Sequence, residues 1–227
     1  MKIKSIFSLL LFVLPFIGIS QECNLLIPLH QGLKYEYTSY DKKGKFDGKS
    51  NQEITFVEED GNVINAEIAQ VVTDKKGKEA FASNYQVRCE DGLYTIDLEQ
   101  MLGPEILGGL GQNNPNEVEV SGTAMQLPRD LKVGQELEDA DLNFSFGPLK
   151  GSMLIYDRKV TDRETVTTEA GTFDCYKIEY SSKVKMLIGK LLQVEEFYAE
   201  GVGMVKSNTY NAKGKLLGSS VLTKFEK

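Results

Sequence analysis

The segment VINAEIAQVVTDKKGKEAFASNYQVRCEDG, residues 63–92, decides the fold. Its apolar residues recur with a period near two. Phe81, Tyr85, Val87 and Cys89 fall on one face, and Asn84, Gln86, Arg88 and Glu90 on the other. One dry face and one wet face predict antiparallel strands. Between the two runs, Asp74-Lys75-Lys76-Gly77 has Asp at the first and Gly at the fourth position of a type I turn, with the glycine placed to close a G1 bulge. The same pattern returns in Asp41-Lys42-Lys43-Gly44 and Asn211-Ala212-Lys213-Gly214. It returns without lysine in Thr168-Glu169-Ala170-Gly171. The shared feature is therefore the glycine, not the charge, and Gly44, Gly77, Gly171 and Gly214 are expected at hairpin tips. Asp60-Gly61 and Asp91-Gly92 suit two-residue hairpin loops.

Working outward, YEYTSY (35–40) and EITFVEE (53–59) alternate in the same way. The turns near 43, 60, 76 and 91 leave strands of about ten to twelve residues, or ~35–40 Å. Strands that long must twist, so an all-β antiparallel meander curled into a barrel or half-barrel is expected. Alternate turns then lie at opposite ends, giving a basic rim from the lysines near 42–45 and 75–78 and an acidic rim from Glu58, Glu59, Asp60, Glu90 and Asp91. Solubility and blunted edges are the simplest account of the two rims; orientation against an anionic surface is the sharper one.

LEQMLGPEILGGLG (98–111) breaks the alternation. Leu98, Met101, Leu102, Ile106 and Leu110 follow helical spacing, which predicts a short helical insertion near 98–110, a lid or plug for the open end. Alternation resumes near 117–120. Residues 127–137 read as a crossing loop with a turn at Gly134, and long strands return at 141–147, 151–166, 173–182, 192–199, 202–210 and 215–225. With no linker or low-complexity tract, residues 21–227 read as a single β-rich domain.

Residues 1–20 read as a signal peptide. Lys2 and Lys4 precede an apolar run, and Gly18 and Ser20 are small residues near its end. Export to the periplasm or beyond is expected, with no transmembrane segment after cleavage. Glu22 before Cys23 argues against a lipobox. The full chain of 227 residues carries a formal charge of −7, and cleavage removes two lysines. Nucleic-acid binding, which runs on surplus positive charge, is disfavoured.

Chemical motifs fail one by one. GKFDGKS (44–50) has three residues where a P-loop needs four between its glycines. DADLNF (139–144) has Phe144 where a calcium loop needs glycine, and Lys150 at the chelating twelfth position. GVGMVK (201–206) lacks the third glycine of a dinucleotide fingerprint. His30 is the one histidine, and Glu195 and Glu196 point to opposite strand faces. No cofactor, metal site or enzymatic constellation is implied. An exported chain permits a disulfide, and the odd count of three cysteines leaves one thiol over. Cys89 lies on a dry face, whereas Cys175 shares a face with Lys177 and Glu179, so these two cannot meet. Cys23 could reach either. Cys23–Cys89 is the favoured pair, with three free thiols as the alternative.

VTTEAGTFDCYKIEY (166–180) and EEFYAEGVGMVKSNTYNAKGKLLGSSVL (195–222) resemble secreted proteins of Gram-negative bacteria grouped as domain of unknown function 3108. The resemblance implies a curved-sheet envelope protein, akin to half-barrel lipoprotein carriers, and brings no catalytic residue. Two functions fit: a carrier of a lipid or other apolar small molecule inside the half-barrel, or a structural module that docks another envelope protein without a small ligand.

Overall fold

A computed structural model of the chain describes residues 22–97, 118–146, 149–185 and 189–226. The expected signal peptide lies outside these residues. So does the expected helical insertion near 98–110, with Leu98, Met101, Leu102, Ile106 and Leu110.

A single 3-10 turn (Glu22–Asn24) opens an arm that runs to the first strand. The strands are β1 (Lys34–Asp41), β2 (Phe46–Asp60), β3 (Val63–Asp74), β4 (Glu79–Glu90), β5 (Leu93–Ile96), β6 (Val118–Gly122), β7 (Met125–Pro128), β8 (Ala140–Phe146), β9 (Leu149–Thr168), β10 (Gly171–Lys185), β11 (Lys190–Ala199), β12 (Gly203–Asn211) and β13 (Leu216–Glu226). They form one 13-stranded sheet in the order β6-β8-β9-β10-β11-β12-β13-β1-β2-β3-β4-β5-β7. Every ladder is antiparallel.

The expected all-β, antiparallel curved sheet is present and is built from two meanders. One runs from β1 to β5 and the other from β8 to β13, and they join where β13 pairs with β1. Among the described residues no ladder joins the edge strands β6 and β7, so the sheet is not closed by hydrogen bonds. Yet these edges are consecutive in the chain. Val118–Gly122 pairs with β8, Thr123 and Ala124 cross over, and Met125–Pro128 pairs with β5. The sheet must therefore curl until its two edges are a two-residue step apart.

Three glycine turns form as expected. Gly44, Gly77 and Gly214 have φ of 71, 78 and 72°. Each donates its N–H to the carbonyl of Asp41, Asp74 or Asn211, and the Oδ1 of that residue accepts two more backbone N–H groups at 2.8–3.1 Å. An alanine Cβ at Gly77 would meet nothing within 4 Å, so Gly77→Ala tests backbone strain alone. It is expected to cost about 1–2 kcal/mol in urea unfolding with the slope unchanged.

Two turns differ. Gly171 pairs directly with Thr168, and its φ of 146° lies outside the left-handed helical well, so this hairpin has a two-residue loop, Glu169-Ala170, and no G1 bulge. Asp60 stays in its strand opposite Val63, which moves that loop one residue on, to Gly61-Asn62. Asp91-Gly92 is a two-residue loop with both φ positive, as a type I′ turn requires.

Alternate turns do fall at opposite ends. The β1–β2, β3–β4, β10–β11 and β12–β13 turns share the basic end. The β2–β3, β4–β5, β9–β10 and β11–β12 turns share the acidic end. The arm fills the acidic end with Leu26 and Leu29, both fully buried. Tyr94 Oη donates to the Cys23 carbonyl at 3.0 Å and accepts from Ile27 N–H at 3.2 Å. Gly201 N–H donates to the Leu25 carbonyl. Across the interior, Cα atoms of β9 come within 8 Å of those of β12 and β13. Val160, Val205 and Leu222 have no exposure there. The curled sheet is thus closely packed across its interior at this level. Toward the basic end its inward positions turn polar: Gln70 Nε2 donates to Ser50 Oγ at 2.8 Å, and Tyr85 Oη donates to Gln52 at 3.3 Å.

Candidate functional site

The most unusual chemistry in the structure begins at an irregularity in β9. Asp157 has φ of 56°, rare for a residue with a side chain. The register steps from Glu179↔Lys159 to Ser181↔Tyr156, so Asp157 and Arg158 together face Tyr180. Such a bulge re-aims the strand's side chains. Here it turns Arg158 inward, and the residue is only 3% exposed. One guanidinium nitrogen donates to the carbonyls of Gln126 (3.0 Å) and Glu138 (2.5 Å). Gln126 lies in edge strand β7, and Glu138 lies just before β8. Arg158 therefore ties together the two sides of the seam that no ladder closes.

Facing inward from β11 is Glu196, flanked on the same face by Val194 and Tyr198. Tyr180 Oη donates to Glu196 Oε1 at 2.8 Å, and Tyr198 Oη to Oε2 at 3.1 Å. Burial lifts the Glu196 pKa above the ordinary carboxylate value, while the two phenols and the Arg158 charge pull it back only in part. Burial, with the Glu196 charge beside them, also keeps Tyr180 and Tyr198 protonated well beyond the usual phenol range. This cluster can store a proton on Glu196. It offers no activated nucleophile.

The next residue faces out. Glu195 borders a surface groove of about 430 Å³ with Asp157, Glu179, Ser181, Gln193 and Tyr210. Lys177 Nζ spans Glu179 at 2.6 Å and Glu195 at 3.1 Å, and Asn208 and Tyr210 donate to Glu195 Oε2 at 3.0 and 2.8 Å. Partial burial opposes charge on both partners. The hydrogen bonds outweigh it, holding Glu195 below and Lys177 above their ordinary values. Lys177 is thus shared by two of the groove's three carboxylates, Glu179 and Glu195, with Asp157 the third.

The residues singled out from sequence do not converge on this cluster. Cys23 and Cys89 are joined by a disulfide, with Cα atoms 5.7 Å apart, which pins the arm to β4. Cys175 is free and fully buried, although its neighbours Lys177 and Glu179 suggested a wet face. Near the acidic end that face is covered, with Val166, Phe173 and Ala199 in the same apolar cluster. Burial pushes the Cys175 thiol pKa up to about 11, away from reactivity. His30 is exposed on the arm. Gly44, Gly77 and Gly214 sit at the basic end and Gly171 at the acidic end, as parts of turns and not of one site. Among the described residues, no group of three or more His, Cys, Asp or Glu side chains is arranged to hold a metal ion.

The DUF3108-like family matches residues 30–222. The chain belongs to this family. Two solved structures share the fold of this DUF3108-like protein. One, from Bacteroides fragilis, is described as an exported protein with a YmcC-like fold. It is 23% identical, with a TM-score of 0.73, and the match covers 90% of this chain and all of that one. The other, from Parabacteroides distasonis, is described as a lipoprotein. It is 20% identical, with a TM-score of 0.74, and the match covers 91% of this chain and all of that one. No curated protein matches the sequence. The family is one of unknown function.

Arg158 and Glu196 escaped the sequence reading for different reasons. Arg158 owes its direction to a bulge, which strict alternation cannot foresee. Glu196 did leave a signal, since it occupies the inward register between Val194 and Tyr198.

Proposed function

We propose that this DUF3108-like protein is a docking module of the cell envelope that works through its outer surface and ends, with no small ligand in its interior. The observation that carries this reading is the approach of β9 to β12 and β13. Where these Cα separations fall within 8 Å and Val160, Val205 and Leu222 are fully buried, the described walls meet, which leaves no room for an acyl chain at that level. The two-sided tie made by Arg158 supports it, because a carrier that opened along the seam would have to break those bonds. The signal-like N-terminus and the description of one structural relative as exported support the envelope location.

Native mass spectrometry of the purified protein, with organic extraction of a parallel sample, tests the reading. The expected result is a mass equal to the chain alone and no extracted lipid. A stoichiometric lipid or other apolar molecule would overturn it in favour of a carrier.

A further inference from the structure

We infer that the basic end of the sheet is a docking face for an anionic lipid bilayer. The strand order places β10, β11, β12, β13, β1, β2, β3 and β4 side by side. Their four turns at the basic end are therefore neighbours along one rim. Strands lie about 4.8 Å apart, so adjacent tips are about 10 Å apart and the row runs for roughly 30 Å. The pentapeptides at 41–45, 74–78 and 211–215 set exposed lysines on three of these tips. Lys185 and Lys190, also exposed, flank the fourth.

These lysines make no ion pair with any described residue. The nearest acids are already committed or few. Asp41 and Asp74 spend Oδ1 on the backbone of their own turns, and Asn211, a neutral residue, does the same work in the third. Asp47 and Glu79 are the exposed carboxylates that follow the first two tips. The row therefore carries a clear positive excess on a chain whose net charge is −7. The opposite end carries Glu58, Glu59, Asp60, Glu90 and Asp91. A charge separation of this kind orients the molecule in the field of an anionic surface.

Charge alone would fit any polyanion. A second feature selects a bilayer. Three of the four tips carry a large apolar side chain held out to solvent within two residues of the turn: Phe46 at 44%, Leu191 at 41% and Leu217 at 42% exposure. Lysines interleaved with exposed apolar groups on a row of protruding loops match a surface that is anionic outside and apolar beneath. A nucleic acid or a free polyphosphate would leave Leu191 and Leu217 without a use.

The inference deepens the docking-module reading and rests on it. Its failure leaves that reading to the native mass measurement, so the two fail separately. The test is co-sedimentation with vesicles of phosphatidylethanolamine containing about a third phosphatidylglycerol, against phosphatidylcholine vesicles. The expected result is binding to the anionic vesicles alone, weakening steeply with salt. The triple variant Lys43→Gln/Lys76→Gln/Lys213→Gln should bind about a hundredfold more weakly, at about a factor of five or more per lysine. Phe46→Ser/Leu217→Ser should remove the part of binding that survives salt. Glu58→Gln/Glu59→Gln, at the other end, should not weaken it. All variants share the wild-type N-terminus, so their differences report the rim, and matching circular dichroism melts show that they fold. Equal binding to neutral vesicles, no binding to anionic ones, an unchanged triple variant, or tighter binding to soluble polyphosphate than to vesicles would each overturn the inference.

Discussion

Converting Cys23 and Cys89 together to alanine is expected to destabilise the protein by about 4 kcal/mol. The bond closes a loop with a sequence separation of 66 residues. Cross-linking a loop that long removes much of the conformational freedom of the unfolded chain. At the size of this chain the loss corresponds to a fall in Tm of about 10 °C. The native state is affected too. Without the bond, the arm is held by the packing of Leu26 and Leu29, by the bonds through Tyr94 and Gly201, and, next to β1, by the bonds of Gln31 and Gly32 to β2 carbonyls. The arm should therefore detach before the sheet melts. Hydrogen exchange should then show lost protection at Ile27 and Gly201, while the amides of β10 and β11 stay protected. Cys175 does not complicate the comparison, because it is buried and takes no part in the bond. A double variant, or a reduced wild type, that melts within two degrees of the oxidised protein would show that the arm is held by packing alone.

Most of the sheet was legible in the sequence because its rules are local. Strand period and turn glycines are set within about ten residues, and the hairpins at Gly44, Gly77 and Gly214 follow from them. The same rules placed the lysine turns at one end and Glu90 with Asp91 at the other. Three features were not legible. The pairing of β13 with β1 joins residues far apart in the chain, and nothing in either strand names the other. The hand-over at Thr123 and Ala124 makes consecutive residues belong to opposite edges, which breaks the expectation that neighbours in sequence share a sheet position. Finally, the bulge at Asp157 reverses which residues face inward. Counting by twos from Ile155 puts Arg158 outside and leaves the seam without its tie. The Arg158 part of the candidate site was missed for the same reason, whereas Glu196 was readable from its place between Val194 and Tyr198.

Arg158→Ala should cost about 2–5 kcal/mol, from about 1–3 kcal/mol for each buried carbonyl left unpaired. It leaves the Gln126 and Glu138 carbonyls without their donor and removes the positive charge that favours ionised Glu196. The loss should depend on pH in a definite direction. In the fold, burial raises the Glu196 pKa above its unfolded value, so between those two values the native state holds more protons than the unfolded chain. Stability from this group is highest at or below the unfolded pKa and falls as pH rises through the folded pKa. Removing Arg158 raises the folded pKa further, so the penalty of Arg158→Ala should be larger at pH 8 than at pH 5. Glu196→Gln cannot ionise, and it should flatten this part of the profile. Its stability relative to wild type should therefore be higher at pH 8 than at pH 5. The carboxylates with lowered values, Glu36, Asp41 and Glu195, produce the opposite slope, with stability lost as pH falls through their folded pKa. They are common to every variant and cancel in the differences. The double variant Arg158→Ala/Glu196→Gln should recover part of the loss at pH 8 and little at pH 5, since only the ionised carboxylate needs the guanidinium. Urea unfolding of the four proteins at both pH values measures this as a double-mutant cycle. A coupling that is zero at both would mean that Arg158 acts only as the tie across the seam and that Glu196 is held by its two tyrosines alone.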